Sequence, residues 1–215
     1  MRKKPIGLNK SPDGLLIILV ILFAMVSCAT VQSPESALRA SIDNRLEAGV
    51  LQAARLVVEA FNERDGEKLA ALVHPKKGVR FSPSAYVDIQ SDMLFTNVQV
   101  KQFWTDTNIY TWGFAEGTGE PIRMAPSQYS RVYILSRDFL NPSSINININ
   151  SDRASGNTQN NAASVYPGGI RVEYYIEPSI RDNILQNDWA ALRLVFERQG
   201  SSWFLVAVIH DEWTI

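Results

Sequence analysis

From Pro34 onward, apolar residues recur at helical spacing: Leu38, Ile42 and Leu46, then Val50, Leu51, Ala54, Val57, Val58 and Phe61. Ser33-Pro34-Glu35 supplies a helix start, with a capping hydroxyl, a proline in the first turn and an acidic neighbour. Gly49 interrupts the run, so the pattern predicts a weak first helix and a firmer second one ending near Asn62. Asp65-Gly66 breaks it, and Glu67 to Val73 reads as a further short helix. His74-Pro75 stops that one, because the residue before a proline avoids the α region.

The middle of the chain mixes periods. Val79-Arg80-Phe81 reads as a short strand, and Val98 to Trp104 as a short helix behind the capping pair Thr96-Asn97. Tyr110, Trp112 and Phe114 alternate with Thr111, Gly113 and Ala115, which predicts a strand with one aromatic face. Gly117-Thr118-Gly119 turns it toward Pro121 to Met124. Pro126 to Leu135 has helical spacing, and Ile145, Ile147 and Ile149 alternate with asparagines as a strand with one wet face. Ser151 to Ser164 is polar and asparagine-rich, an exposed loop by composition.

The last third is the most regular. Ile170 to Glu177 alternates apolar and polar residues, and Trp189 to Arg198 forms another strand. Gln199-Gly200-Ser201-Ser202 then turns into Trp203 to Trp213. Every residue from Trp203 to Ile209 is apolar, the signature of a strand covered on both faces and therefore central. Helices first and a long antiparallel sheet last make an α+β domain over residues 37–215.

The N-terminus follows other rules. Arg2, Lys3, Lys4 and Lys10 precede Leu15 to Val26, an apolar run of 12 residues. A helix needs about 20 apolar residues to span a bilayer, so the pattern is that of an export signal over residues 1–27. The only cysteine, Cys28, closes it in Met25-Val26-Ser27-Cys28. This resembles the lipobox of bacterial lipoproteins, in which the cysteine becomes the acylated N-terminus. Cleavage after Ala29 without lipid, or an uncleaved anchor, are the other options. The lipobox reading makes residues 28–36 a tether and places the protein outside the cell, held by palmitate-type acyl chains on the outer face of a bacterial membrane. Where an outer membrane exists, Ala29 after the cysteine resembles its sorting signal.

Composition narrows the function. With 21 Lys+Arg against 22 Asp+Glu there is no basic surplus for nucleic acid, and loss of the basic leader makes the mature chain more acidic. A single cysteine excludes a disulfide framework, a zinc finger and an iron–sulfur cluster. No phosphate loop, nucleophile elbow or cofactor motif is present, and no metal or cofactor is expected.

Four residues remain as candidate chemistry. His210, Asp211 and Glu212 end the last strand, where alternation puts His210 with Glu212, on the face of Phe204, Val206 and Val208, and away from Asp211. His74 would complete a two-histidine metal set if it met His210, yet no ligand spacing supports one. At the end of a helix it reads more simply as a partly cationic ring facing the dipole. Lys76, Lys77 and Arg80 form either an anion-binding patch or a solvated turn. Tyr110, Trp112, Phe114, Tyr174, Trp203 and Trp213 would line a concave sheet, or simply fill its core.

Helices ahead of a curved antiparallel sheet that ends in a hairpin resemble the NTF2-like (cystatin-like cone) superfamily. Leu72-Val73-His74-Pro75-Lys76-Lys77-Gly78-Val79-Arg80-Phe81-Ser82-Pro83 and Ile209-His210-Asp211-Glu212-Trp213-Thr214-Ile215 resemble phrases that bracket the domain in a group of bacterial lipoproteins without an assigned activity. NTF2-like domains include enzymes, ligand binders and interaction modules, so the resemblance does not decide the function; the expectation is a membrane-anchored ligand-binding or protein-interaction module of the cell envelope. Its partner would be an envelope protein or a small apolar or glycan ligand. The alternative is a pocket enzyme of hydrolase or dehydratase type using His210 with Asp211 or Glu212.

Overall fold

The computed structural model describes residues 34–148 and 158–213. The leader, Cys28 and Ile149 lie outside them.

Two helices open the domain, α1 (Pro34–Glu63) and α2 (Gly66–Leu72). The break at Gly49 does not occur. Gly49 sits where α1 crosses Trp203, and a Cβ there would lie 3.3 Å from the indole Nε1. Tertiary packing holds the helix through a residue whose propensity opposes it. Asp65 caps α2 by accepting a hydrogen bond from the Lys68 amide.

The chain continues through β1 (Val79–Ser82), β2 (Met93–Phe95), α3 (Asn97–Lys101), β3 (Tyr110–Phe114), β4 (Pro121–Met124) and α4 (Pro126–Tyr129). Thr96 and Gln99 form the reciprocal capping box of α3. A π-helical turn, Ser130–Ile134, extends α4. Then come β5 (Ser144–Ile147), α5 (Ala162–Val165), β6 (Ile170–Ile176), β7 (Ile180–Arg181), β8 (Ile184–Leu185), β9 (Ala190–Gln199) and β10 (Ser202–Glu212).

Six strands form the main sheet in the order β2-β1-β10-β9-β6-β5. All neighbours are antiparallel except β1 and β10, which run parallel. The architecture is mixed α+β, and the continuous apolar strand is central: β10 lies between β1 and β9. Its first face meets the helices through Leu192, Leu194, Phe196, Leu205 and Val208, packed with Val57 and Phe61 of α1. Its second face carries Val195, Val206, Ala207 and Ile209, covered by Val87, Ala162, Val165 and Tyr166.

Three expectations need correction. β3 has no continuous aromatic face: the ladder slips between Thr111 and Phe114, where Gly113 takes a φ of 134°. Trp112 is buried, stacked on Tyr129 with centroids 3.9 Å apart, while Phe114 turns outward. Secondly, the loop ending at Ser164 is not exposed throughout. Asn161 accepts a hydrogen bond from the Val87 amide and donates one to its carbonyl, and Ala162 is fully buried. Thirdly, β10 bulges between Leu205 and Ala207. The bulge moves every later side chain to the opposite face, so Val208 and His210 share the helix side with Leu205 and not with Phe204 and Val206.

Candidate functional site

Where β10 leaves the sheet it opens a cleft of about 170 Å³. His210, Asp211 and Glu212 form one side, Phe114, Glu116 and Ile122 of the β3–β4 hairpin another, and Tyr133 the third. His210 is only 3 % exposed, and its ring meets Tyr133 edge-on with centroids 5.4 Å apart. His210 Nε2 lies 3.4 Å from Glu212 Oε1, an ion-pair contact, and neither ring nitrogen makes a well-directed hydrogen bond. The His210 contact holds the Glu212 carboxyl below its ordinary range against the opposing effect of burial. The pairing of His210 with Glu212 is therefore the one that strand alternation predicts.

Asp211 points the other way, into an ionic cluster on the second face of the sheet. Arg193 Nε donates to Glu173 Oε2 at 2.7 Å, and its Nη2 lies 2.7 Å from Asp211 Oδ2. All three residues are buried. Burial pushes the Asp211 carboxyl up, and the Arg193 charge opposes that shift. Sequence reading does not single out Glu173, only a polar position in an alternating strand, or Arg193, to which it gives no face. The available signal was an arginine inside an otherwise apolar strand, facing a glutamate across the ladder.

His74 does not join this site. Val73 bridges to Leu205, at the start of β10, whereas His210 pairs with Leu192 toward its end. His74 Nδ1 accepts hydrogen bonds from the Lys76 and Lys77 amides, so that nitrogen carries no proton and the ring is a turn-former. No group of three His, Cys, Asp or Glu residues suited to a metal occurs among the described residues. The basic patch is divided as well. Lys77 pairs with Glu197, and Arg80 donates to the Asp92 carbonyl at 2.7 Å.

A larger groove, about 860 Å³, lies between α1 and the β5–β6 edge. Leu51 and Val58 of α1, Phe139 and Leu140, and Ile145 and Ile147 of β5 make it apolar. Arg55, Glu59 and Glu63 bring charge to its α1 side. Tyr174 also lines it, 3 % exposed, with a hydroxyl that has no partner. Burial pushes that hydroxyl up to about 12. Of the six aromatics expected on a concave sheet, Tyr174 lines the groove and Phe114 lines the cleft. Trp112 and Trp203 pack in or against the main core, Tyr110 packs beside it, and Trp213 packs with Tyr175 and Trp189 on the second face.

One buried acid was not anticipated at all. Asp92 Oδ2 accepts from Ser82 Oγ at 2.5 Å and from the Asp88 amide at 2.9 Å. Burial raises its pKa to about 6 despite these donors.

No protein family matches the chain, and no curated protein does. Among solved structures, a designed protein named Rd1NTF2_05, in a variant form, is similar over 78% of this chain and 98% of its own. The identity is 12% and the TM-score 0.31.

Proposed function

We propose that this protein is a membrane-tethered binding module of the bacterial cell envelope, with an NTF2-like domain whose groove holds a small molecule. The ligand has an apolar body and a polar end. The observation that carries this reading is Tyr174: a hydroxyl buried beside an apolar groove with no protein partner awaits one from a ligand. The volume lies within the range of small-molecule sites, roughly 300–1,000 Å³. Leu51, Val58 and Ile147 supply apolar contact, and Tyr174 fixes orientation.

The test is NMR on the chain from residue 28, titrated with medium-chain alkyl alcohols and ketones. Saturable shifts confined to Leu51–Val58, β5 and Tyr174, weakened by Tyr174→Phe, support the reading. Shifts scattered over the surface, or none, remove it. The tether rests on the leader and Cys28. Cells fed an alkyne fatty acid should label the parent and not Cys28→Ala, and equal labelling would refute the anchor.

A second reading is favoured by one observation, the burial of His210 beside Glu212. An imidazole beside a carboxylate at the wall of a cleft is the pairing that proton transfer in a hydrolase or dehydratase uses. Loss of a detected turnover in both His210→Gln and Glu212→Gln, with fold retained, would favour it over binding alone.

A further inference from the structure

A further cavity opens where the end of α1, the turn after α3 and the π-helical turn meet. Its volume is about 340 Å³, within the range of small-molecule sites. Arg64 and Arg131 line it, and among the described residues no carboxylate does. This reverses the cleft, which Glu116, Asp211 and Glu212 line, and the groove, where Glu59 and Glu63 outnumber Arg55. Neither guanidinium has a partner among the described residues. The acids nearest to them in sequence are engaged elsewhere: Glu63 by Lys68, Asp65 by the Lys68 amide, and Asp106 by Asn108 and Tyr110.

Arg64 also stands at a position that favours glycine. It follows α1 with a φ of 57°, and the Asp65 amide donates back to the Ala60 carbonyl, the closing bond of a helix that ends in the left-handed region. A glycine would hold that turn without the crowding that a Cβ brings there. The arginine instead places a permanent positive charge beside the cavity. Arg131 comes from the π-helical turn Ser130–Ile134, a distortion that occurs frequently at functional sites. The rest of the polar lining is rich in donors. Gln128 Oε1 accepts from the Ala125 amide, which leaves its NH2 group as the free end. Ser127 and Ser130 bring hydroxyls, and that of Ser130 is buried without a partner. Trp104 and Leu135 add apolar surface.

We propose that this cavity binds the dianionic phosphate of a small phosphate monoester, whose organic part lies against Trp104 and Leu135. Two guanidinium charges are matched by a group that carries about −1.5 to −2 near neutral pH and offers three strong acceptor oxygens. A carboxylate or a sulfate ester has one negative charge and would leave one guanidinium unanswered. A cation is repelled by both. The site is separate from the groove at Tyr174 and from the cleft at His210, and it stands without either reading.

The experiment is NMR on the chain from residue 28, which contains every described element, with three probes that share a ring: phenyl phosphate, phenyl sulfate and benzyl alcohol. Near neutral pH and at low salt, phenyl phosphate should saturate with a millimolar dissociation constant, as expected for so few atoms. Its shifts should centre on the Trp104 indole and the Ser130 amide. Phenyl sulfate, of the same shape with one charge, should bind about fivefold more weakly. Arg131→Gln should weaken phenyl phosphate by a similar factor, the order expected for one exposed charge. Arg64→Gly removes the other charge and relaxes the backbone, so it should weaken binding equally without lowering the melting temperature. Equal binding of phenyl sulfate or of benzyl alcohol would overturn the proposal. So would binding that neither arginine variant weakens, or the absence of saturable shifts. Saturable shifts confined to Tyr174 or to His210 would place the ligand in the groove or the cleft and overturn it as well, so the sites fail separately.

Discussion

Arg193 and Glu173 sit directly opposite one another on β9 and β6, joined by a 2.7 Å hydrogen bond in the interior. The guanidinium also meets Asp211 on β10, so three adjacent central strands are tied by one cation on the second face of the sheet. A buried ion pair adds little net stability over an apolar replacement, but losing one partner strands the other.

Arg193→Met should therefore cost about 3–5 kcal/mol, because it leaves two carboxylates buried without a countercharge. Adding Glu173→Met and Asp211→Leu to it should restore most of that loss. Urea melts of the single and triple variants check this. A triple variant no more stable than the single one would show that the cluster holds the strands in a way that apolar packing cannot replace.

Asp92 predicts a pH dependence of definite sign. Its ordinary value is 3.8 and its folded value about 6, so the folded state binds the proton more tightly. Its contribution to stability is complete below about pH 4 and is lost as the pH rises through about 6. A shift of that size corresponds to about 3 kcal/mol. Asp88 and Asp106 are shifted downward by their hydrogen bonds and act in the opposite sense. The difference between parent and Asp92→Asn isolates the effect: relative to the parent, the asparagine variant should gain stability between pH 4 and 7. A pH-independent difference would contradict the assignment.

Two glycines should respond oppositely to the same substitution. A Cβ at Gly66 would lie 2.2 Å from the Lys101 carbonyl oxygen, a backbone atom that cannot step aside. Gly66→Ala should thus destabilise by more than the roughly 1 kcal/mol that alanine gains in a helix. Gly168 has nothing within 4 Å, and Gly168→Ala should be neutral or slightly stabilising. Thermal melts of the pair decide the point.

Asn161→Ala removes both hydrogen bonds to the Val87 backbone, at 2.7 and 3.0 Å. Leaving that donor and acceptor unpaired should cost about 1–3 kcal/mol. Amide exchange should accelerate at Val87 before it does in β9 or β10.

Sequence pattern revealed the parts of this fold whose causes are local. The α3 capping box at Thr96, the β9–β10 turn at Gly200 and the central position of Trp203 to Ile209 all follow from neighbouring residues. The remainder depends on partners far along the chain. Gly49 stays helical because of Trp203, and Asn161 is ordered because of Val87. At the candidate site, alternation over three residues correctly joined His210 to Glu212. It failed over seven, because the bulge between Leu205 and Ala207 carries no composition signal. Glu173 and Arg193 do not stand out until the register places them together.

The parallel pairing of β1 with β10 joins Phe81 to Val208 across most of the domain's length. During synthesis at about 5–20 residues per second, β1 emerges on the order of ten seconds before its neighbour exists. Until then the central seam of the sheet has no partner, and contacts of such long range form slowly in any case. The nascent polypeptide is therefore kept open by its own topology. A chain in that condition is not yet closed around its central seam and can still be threaded.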